Sequence, residues 1–215
     1  MVGVGLLVAS LATDHWVKAD VVDNHNQTLG GTTVSPIKRG GFMTFGLFRG
    51  FKSINYGAGR RDSSLYVKDY IYDFGMFSAG LWVSTIVMTS LAIAMGLVAM
   101  GFSMFNIFGK PIETLTGVPG LYLWNCLAGL FSVLAVAVYL ALYFQEFKDN
   151  VLLEYDLGNN LTSVDRAYLD WSFYLVVASM LAFLINPILL KCSGSSVSCS
   201  FQQEAEKVTE EYPIY

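Results

Sequence analysis

Charge is what this sequence lacks. Of 215 residues only 14% are Asp, Glu, Lys or Arg, against a hydrophobic share of 54% and a mean hydropathy of +0.50. A soluble domain carries roughly 25% charged residues, so the chain has too few to cover a water-facing surface. The shortage is concentrated. No charged residue lies between Asp73 and Lys110, between Glu113 and Glu146, or between Asp170 and Lys191. A helix needs about 20 apolar residues to cross a bilayer, and each interval supplies them. These runs read as three transmembrane helices rather than as buried core helices of a large soluble protein.

Other scarcities exclude chemistry. The two histidines, His15 and His25, belong to no Cys/His cluster with zinc spacing. Asp14, Asp20 and Asp23 with His25 read as either a solvated loop face or a loose divalent-ion site. "GAGR" (57–60) lacks the strand, helix and spacing of a phosphate-binding loop, and no nucleophile has an evident partner. The net charge of −4 offers nucleic acid nothing. An enzyme is not expected, nor is any cofactor. No Asp, Glu, Lys or Arg falls at a membrane midplane, where a transporter's ionisable groups would lie. There are three cysteines. Cys126 lies within a predicted helix and reads as a small apolar residue. Cys192 and Cys199 follow the last helix and are candidate lipidation sites, Cys192 the better placed, beside Lys191.

The polar remainder falls between the apolar runs. Spans are expected near 1–13, 78–105, 120–144 and 171–190, with loops at 14–73 and 145–170 and a polar tail at 191–215 expected to be disordered. The first run rises only about 20 Å at 1.5 Å per residue. It reads as the outer half of a first transmembrane helix whose beginning is missing, with a short tilted helix as the alternative. Four spans put both chain ends and the 105–125 turn on one side. Ten of thirteen Lys and Arg lie in the two long loops, which naively places them in the cytoplasm. That rule weakens for loops of about 60 residues, and each loop carries an acceptor sequon, at Asn26 and Asn160. The loops are therefore placed outside. Within "FNIFGKPIETLTGVPGLYLWN" (105–125), Lys110, Pro111 and Glu113 form the expected cytoplasmic hinge. Pro111 stops one helix and Pro119 suits the first turn of the next.

The first loop holds more than a connection requires. "GGFMTFGLFRGFKS" (40–53) predicts a strand from Phe42 to Phe48, and "SSLYV" (63–67) a second beyond the "NYGAG" turn. A small sheet of two or three strands over the helix ends would bury Trp16, Phe45, Leu47 and Phe48, although Trp16 equally suits an interfacial anchor. Phe45, Leu47, Phe48 and Arg49 are the partner-binding candidates. Arg49, Lys52, Arg60 and Arg61 make a basic stretch, either a solvated face or a docking patch for an acidic ectodomain or glycan. Ala92-xxx-Gly96 and Ala137-xxx-Ala141 predict close helix packing, and Asn125 and Asn186 are expected near the membrane surfaces. The terminal Ile214-Tyr215 weakly resembles a ligand for a carboxylate-binding groove.

"FGKPIETLTGVPGLYLWN" (108–125), "FGLFRG" (45–50), "DHW" (14–16), "WSF" (171–173) and the terminal tyrosine together resemble the clarins, small tetraspan proteins distantly related to the claudins. The resemblance implies an all-α membrane protein, a four-helix transmembrane bundle with a small extracellular sheet from the first loop. It implies a plasma-membrane protein of sensory cells, synapses and membrane–actin organisation, with no known catalysis. Its partners would be the lipid bilayer, other membrane proteins, cytoskeletal or scaffold proteins and further copies of itself. The first loop has no cysteine, unlike typical claudin-like loops. A loop disulfide is ruled out, and a role in hearing is not carried over. The leading expectation is a non-catalytic membrane organiser; the alternative is an assembly that forms or modulates an ion path, with Arg60 and Arg61 setting selectivity.

Overall fold

A computed structural model describes residues 2–23, 39–108 and 118–211, with side chains described as far as Cys192. Asn26, His25, the hinge residues Lys110, Pro111 and Glu113, and Ile214-Tyr215 lie outside the described residues. The element order is α1 (Val2–Ala12), β1 (Val17–Asp23), β2 (Gly40–Phe45), β3 (Arg49–Asn55), β4 (Arg60–Tyr66), α2 (Val67–Tyr72), α3 (Ala79–Phe108) and α4 (Val118–Leu142). A π turn (Tyr143–Phe147), α5 (Glu154–Gly158), β5 (Leu161–Thr162), β6 (Ala167–Leu169) and α6 (Trp171–Glu211) follow.

Among the described residues, three helical segments are long and apolar enough to cross a membrane: Ala79–Asn106, Pro119–Phe147 and Trp171–Cys192. Only 28%, 33% and 22% of these spans is buried inside the chain, so most of their apolar surface faces outward, as lipid contact requires. The expected fourth span, α1, has eleven residues and is the short member. It packs against α6 and α3, while α3 packs on α4 and α4 on α6. The backbone of α6 continues through the polar segment expected to be a disordered tail, as far as Glu211.

Small residues at three- and four-residue spacing let the helices approach. The buried positions include Thr85, Thr89, Ala92, Gly96 and Ala99 on α3, and Asn125, Ala128, Ser132, Ala135 and Tyr139 on α4. Ala92 therefore packs as expected, whereas Ala137 is exposed; Ala128, Ser132 and Ala135 take the contact instead. The hydroxyls of Thr85, Thr89 and Ser132 donate to carbonyls four residues back, so these contacts demand no water. The Phe183 ring of α6 fills a notch between helices. A Cβ on Gly96 would lie 2.9 Å from its Cζ, and one on Gly3 would lie 3.0 Å away.

The sheet is larger than the sequence predicts. Its order is β4-β3-β2-β1-β5, with β6 also pairing with β1, so two of its strands come from the second loop. The expected 42–48 strand ends at Phe45, because Gly46 N–H donates to Arg49 O at 2.7 Å and closes a tight turn. The second strand begins three residues before Ser63, and β1 and β3 have no counterpart in the expectation. At the β3–β4 turn Asn55 Oδ1 accepts from Gly57 and Gly59 N–H, with both glycines at φ near +110°.

Phe45, Leu47 and Trp16 join this sheet to the helices. Phe45 makes edge-on contacts with Tyr70, Phe77 and Phe147. The Leu47 carbonyl accepts from Trp82 Nε1 at 2.7 Å. Trp16 is 1% exposed, meets Tyr139 and Phe173, and donates from Nε1 to Ser10 O; it is core, not an interfacial anchor.

Candidate partner-binding face

Strand alternation divides the sheet into two faces. Val17, Ala19, Val21, Met43, Phe45, Ile54 and Leu65 are buried toward the helix ends. Their neighbours in sequence, Lys18, Phe42, Arg49, Phe51, Arg60, Asp62, Tyr66 and Tyr168, share the opposite face through the registers of β1 with β2 and β6, β2 with β3, and β3 with β4. On that face cations lie over rings. Lys18 Nζ is 5.2 Å from the Phe42 centroid and 5.7 Å from that of Tyr168. Arg60 lies 5.8 Å from Phe42, and Arg49 6.0 Å from Tyr66. A hydrogen bond with Tyr168 raises the Lys18 ammonium above its ordinary value, against a smaller opposing effect of burial. Exposed cation–π pairs contribute about 0.5–1 kcal/mol each, a bias toward this placement of the rings.

The four partner-binding candidates separate. Phe45 and Leu47 are buried, 0% and 1% exposed, because the aromatic core under the sheet needs them; they fix the sheet rather than face a partner. Phe48 is 47% exposed and Arg49 is exposed beside it. Phe42, Phe51, Tyr66, Tyr168 and Lys18 belong to the same surface and were not singled out by sequence. The signal for them was the period-two alternation of five strands, of which only β2 and β4 were recognised, each in part.

Lys52 leaves the basic stretch. It points under the sheet, where Nζ donates to Asp156 at 2.8 Å and 2.5 Å, and Tyr56 Oη donates to the same carboxylate at 2.6 Å. Asp156 is fully buried. Burial, and next the Asp156 hydrogen bond, push the Tyr56 phenol well above its ordinary value. Lys52 and Tyr56 belong to the first loop and Asp156 to α5, so this cluster fastens the second loop to the sheet without a disulfide. At the other edge His15 Nδ1 and Asp170 Oδ2 lie 3.0 Å apart, and His15 stacks on Trp171.

A family model described as Clarin-2-like matches residues 1–190. The chain belongs to this family. Mouse Clarin-2 is 29% identical over 213 residues, covering 98% of this chain and 90% of the relative. Human Clarin-2 is also 29% identical, over 87% of this chain and 81% of its own length. Human Clarin-1 is 24% identical over 93% and 86%.

The remaining sites of this clarin are scattered. Asn160 is exposed with φ +59°, immediately before β5, while the Thr162 hydroxyl of its sequon accepts from Val164 N–H. Cys192 is exposed at the end of the apolar part of α6 and Cys126 is exposed on α4; the Cys199 side chain lies outside the described residues. Asn125 and Asn186, both expected near the membrane surfaces, meet across α4 and α6: Asn186 Nδ2 donates to Asn125 Oδ1 at 3.0 Å. Among the described residues no group of three His, Cys, Asp or Glu gathers for a metal.

Proposed function

We propose that this clarin is a non-catalytic tetraspan organiser of the plasma membrane. Its outer sheet meets a partner membrane protein, and its inner side couples to a scaffold or cytoskeletal protein. The observation that carries the reading is the exposed pair Phe48–Arg49 continuing into a face of rings already ordered by cations. Such a surface exposes apolar area at small conformational cost on binding, because its side chains are held before the partner arrives. Buried Phe45 and Leu47 give it a rigid base.

Double substitution of Phe48 and Arg49 by alanine should abolish co-purification of the partner from native membranes while surface biotinylation stays at the wild-type level. Undiminished co-purification with normal delivery overturns the proposal. A second reading, an assembly that modulates ion permeation, draws on the exposed Arg60 and Arg61 of β4. It requires conductance across an epithelial sheet expressing the protein to change ion selectivity when both arginines become glutamines.

A further inference from the structure

Among the described residues, one edge of the sheet is closed and the other is open. Beyond β1 the second loop adds β5 and β6, whereas β4 ends the opposite side with Arg60 through Ser64 and Tyr66 all exposed. The register fixes which backbone groups are unused there. Val67 N–H donates to Phe48 O at 3.1 Å, continuing the Arg49↔Tyr66 pairing of β3 with β4. In an antiparallel ladder alternate residues bond to the same neighbour. Leu65, Ser63 and Arg61 therefore direct their N–H and C=O groups toward β3, and Ser64, Asp62 and Arg60 direct theirs to the open edge together with the N–H of Tyr66, whose C=O as the N-cap of α2 belongs to that helix.

We propose that this edge is a homodimer interface: β4 pairs antiparallel with β4 of a second copy, Arg60 opposite Tyr66 and Ser63 on the two-fold axis. A symmetric pairing that keeps each face of the sheet continuous must set even residues opposite even and odd opposite odd, which leaves few registers. Centring on Arg61 sets Arg61 against Arg61, and centring on Asp62 sets Asp62 against Asp62; like charges directly opposite destabilise a sheet. Centring on Ser64 leaves Arg60 outside the ladder. Centring on Ser63 sets Asp62 against Ser64, uses the outward N–H and C=O of both these residues with Tyr66 N–H and Arg60 C=O, and opposes no like charges. It also sets Arg60 of one copy against Tyr66 of the other, repeating across the interface the Arg49–Tyr66 contact already present within the chain. Charges on an edge strand block unwanted pairing; here they reject the wrong registers.

The symmetry suits a single membrane. The two-fold axis stands perpendicular to the sheet, and the sheet's inner face lies on the helix ends, so both helix sets leave the interface on the same side. The inference goes beyond the partner-docking reading and uses the strand edge rather than the outer face.

The first and second loops contain no cysteine, so an introduced thiol there reports pairing between copies. Two Ser63 Cα atoms on the axis would lie about 4.5 Å apart, inside the disulfide range of about 4.4–6.8 Å. The full chain carrying S63C, oxidised in intact membranes by an impermeant reagent, should run as a reducible dimer. V164C, exposed in the second loop, should remain monomeric. Co-expressed D62C and S64C chains should cross-link to each other, and either expressed alone should not. Monomeric S63C at normal surface level overturns the proposal, as does equal cross-linking by V164C, and a mixed disulfide with a different protein assigns the edge to that protein instead.

Discussion

The most consequential single residue outside the proposed interfaces is Asp156. It is a carboxylate with no exposed surface, balanced by one ammonium and one phenol from a loop about a hundred positions earlier in the chain. Removing one partner of a buried ion pair costs about 3–5 kcal/mol, because the other charge stays behind. D156A should therefore lower the thermal unfolding midpoint of the detergent-purified protein sharply, and replacing Lys52 by methionine in that background should restore part of the loss. The Tyr56 contact adds no pH dependence near neutrality. Its folded-state value is raised, so its contribution is complete below the unfolded value and disappears only as pH climbs through the folded one, in strong alkali. None of this was legible in the sequence. Lys52 looks like one member of a basic run, and only the fold, by turning β3 so that Lys52 faces inward, separates it from Arg49 and Arg60.

At the scale of elements, the helices were legible and the strands mostly were not, for one physical reason. A span excludes charge over some twenty residues, a signal that survives any local irregularity; the expected 78–105 and observed 79–106 differ by one residue at each end. A strand of seven residues declares itself only by alternation. "VKADVVD" alternates correctly, burying Val17, Ala19 and Val21, but its lysine and two aspartates make it look like loop. β5 and β6 have two and three residues and exist because β1 is there to receive them. Helix contacts were half legible, since small residues mark permissible approach without saying which face uses it. Ala92 and Gly96 lie on the packed side; Ala137 does not. Gly96 supplies the test. A Cβ there would lie 2.7 Å from Val4 Cγ2 and 2.9 Å from Phe183 Cζ, and overpacking costs about 1–3 kcal/mol. G96V should reduce stability in detergent by that amount, and F183A in the same chain should recover some of it by emptying the notch.

For the whole molecule, the outward-facing apolar surface of three spans implies insertion in lipid, and the sheet over the helix ends then lies in one aqueous compartment. If that compartment is the lumenal and extracellular one, Asn160 is accessible to the glycosylation machinery on an exposed left-handed turn. Digestion with peptide N-glycosidase should shift the electrophoretic mobility of wild type, and N160Q should lower the mobility shift or, if Asn26 is unoccupied, remove it. A wild-type band unmoved by the enzyme, with the N160C variant labelled by an impermeant thiol reagent only after permeabilisation, would invert the orientation. One further property follows from how the last strand meets the last helix. Only Asp170 separates β6 from α6; its N–H is bound to Trp16 O, and its side chain accepts from Trp171 N–H. A displacement of the sheet at β6 therefore reaches the first turn of α6 with no intervening loop to take it up.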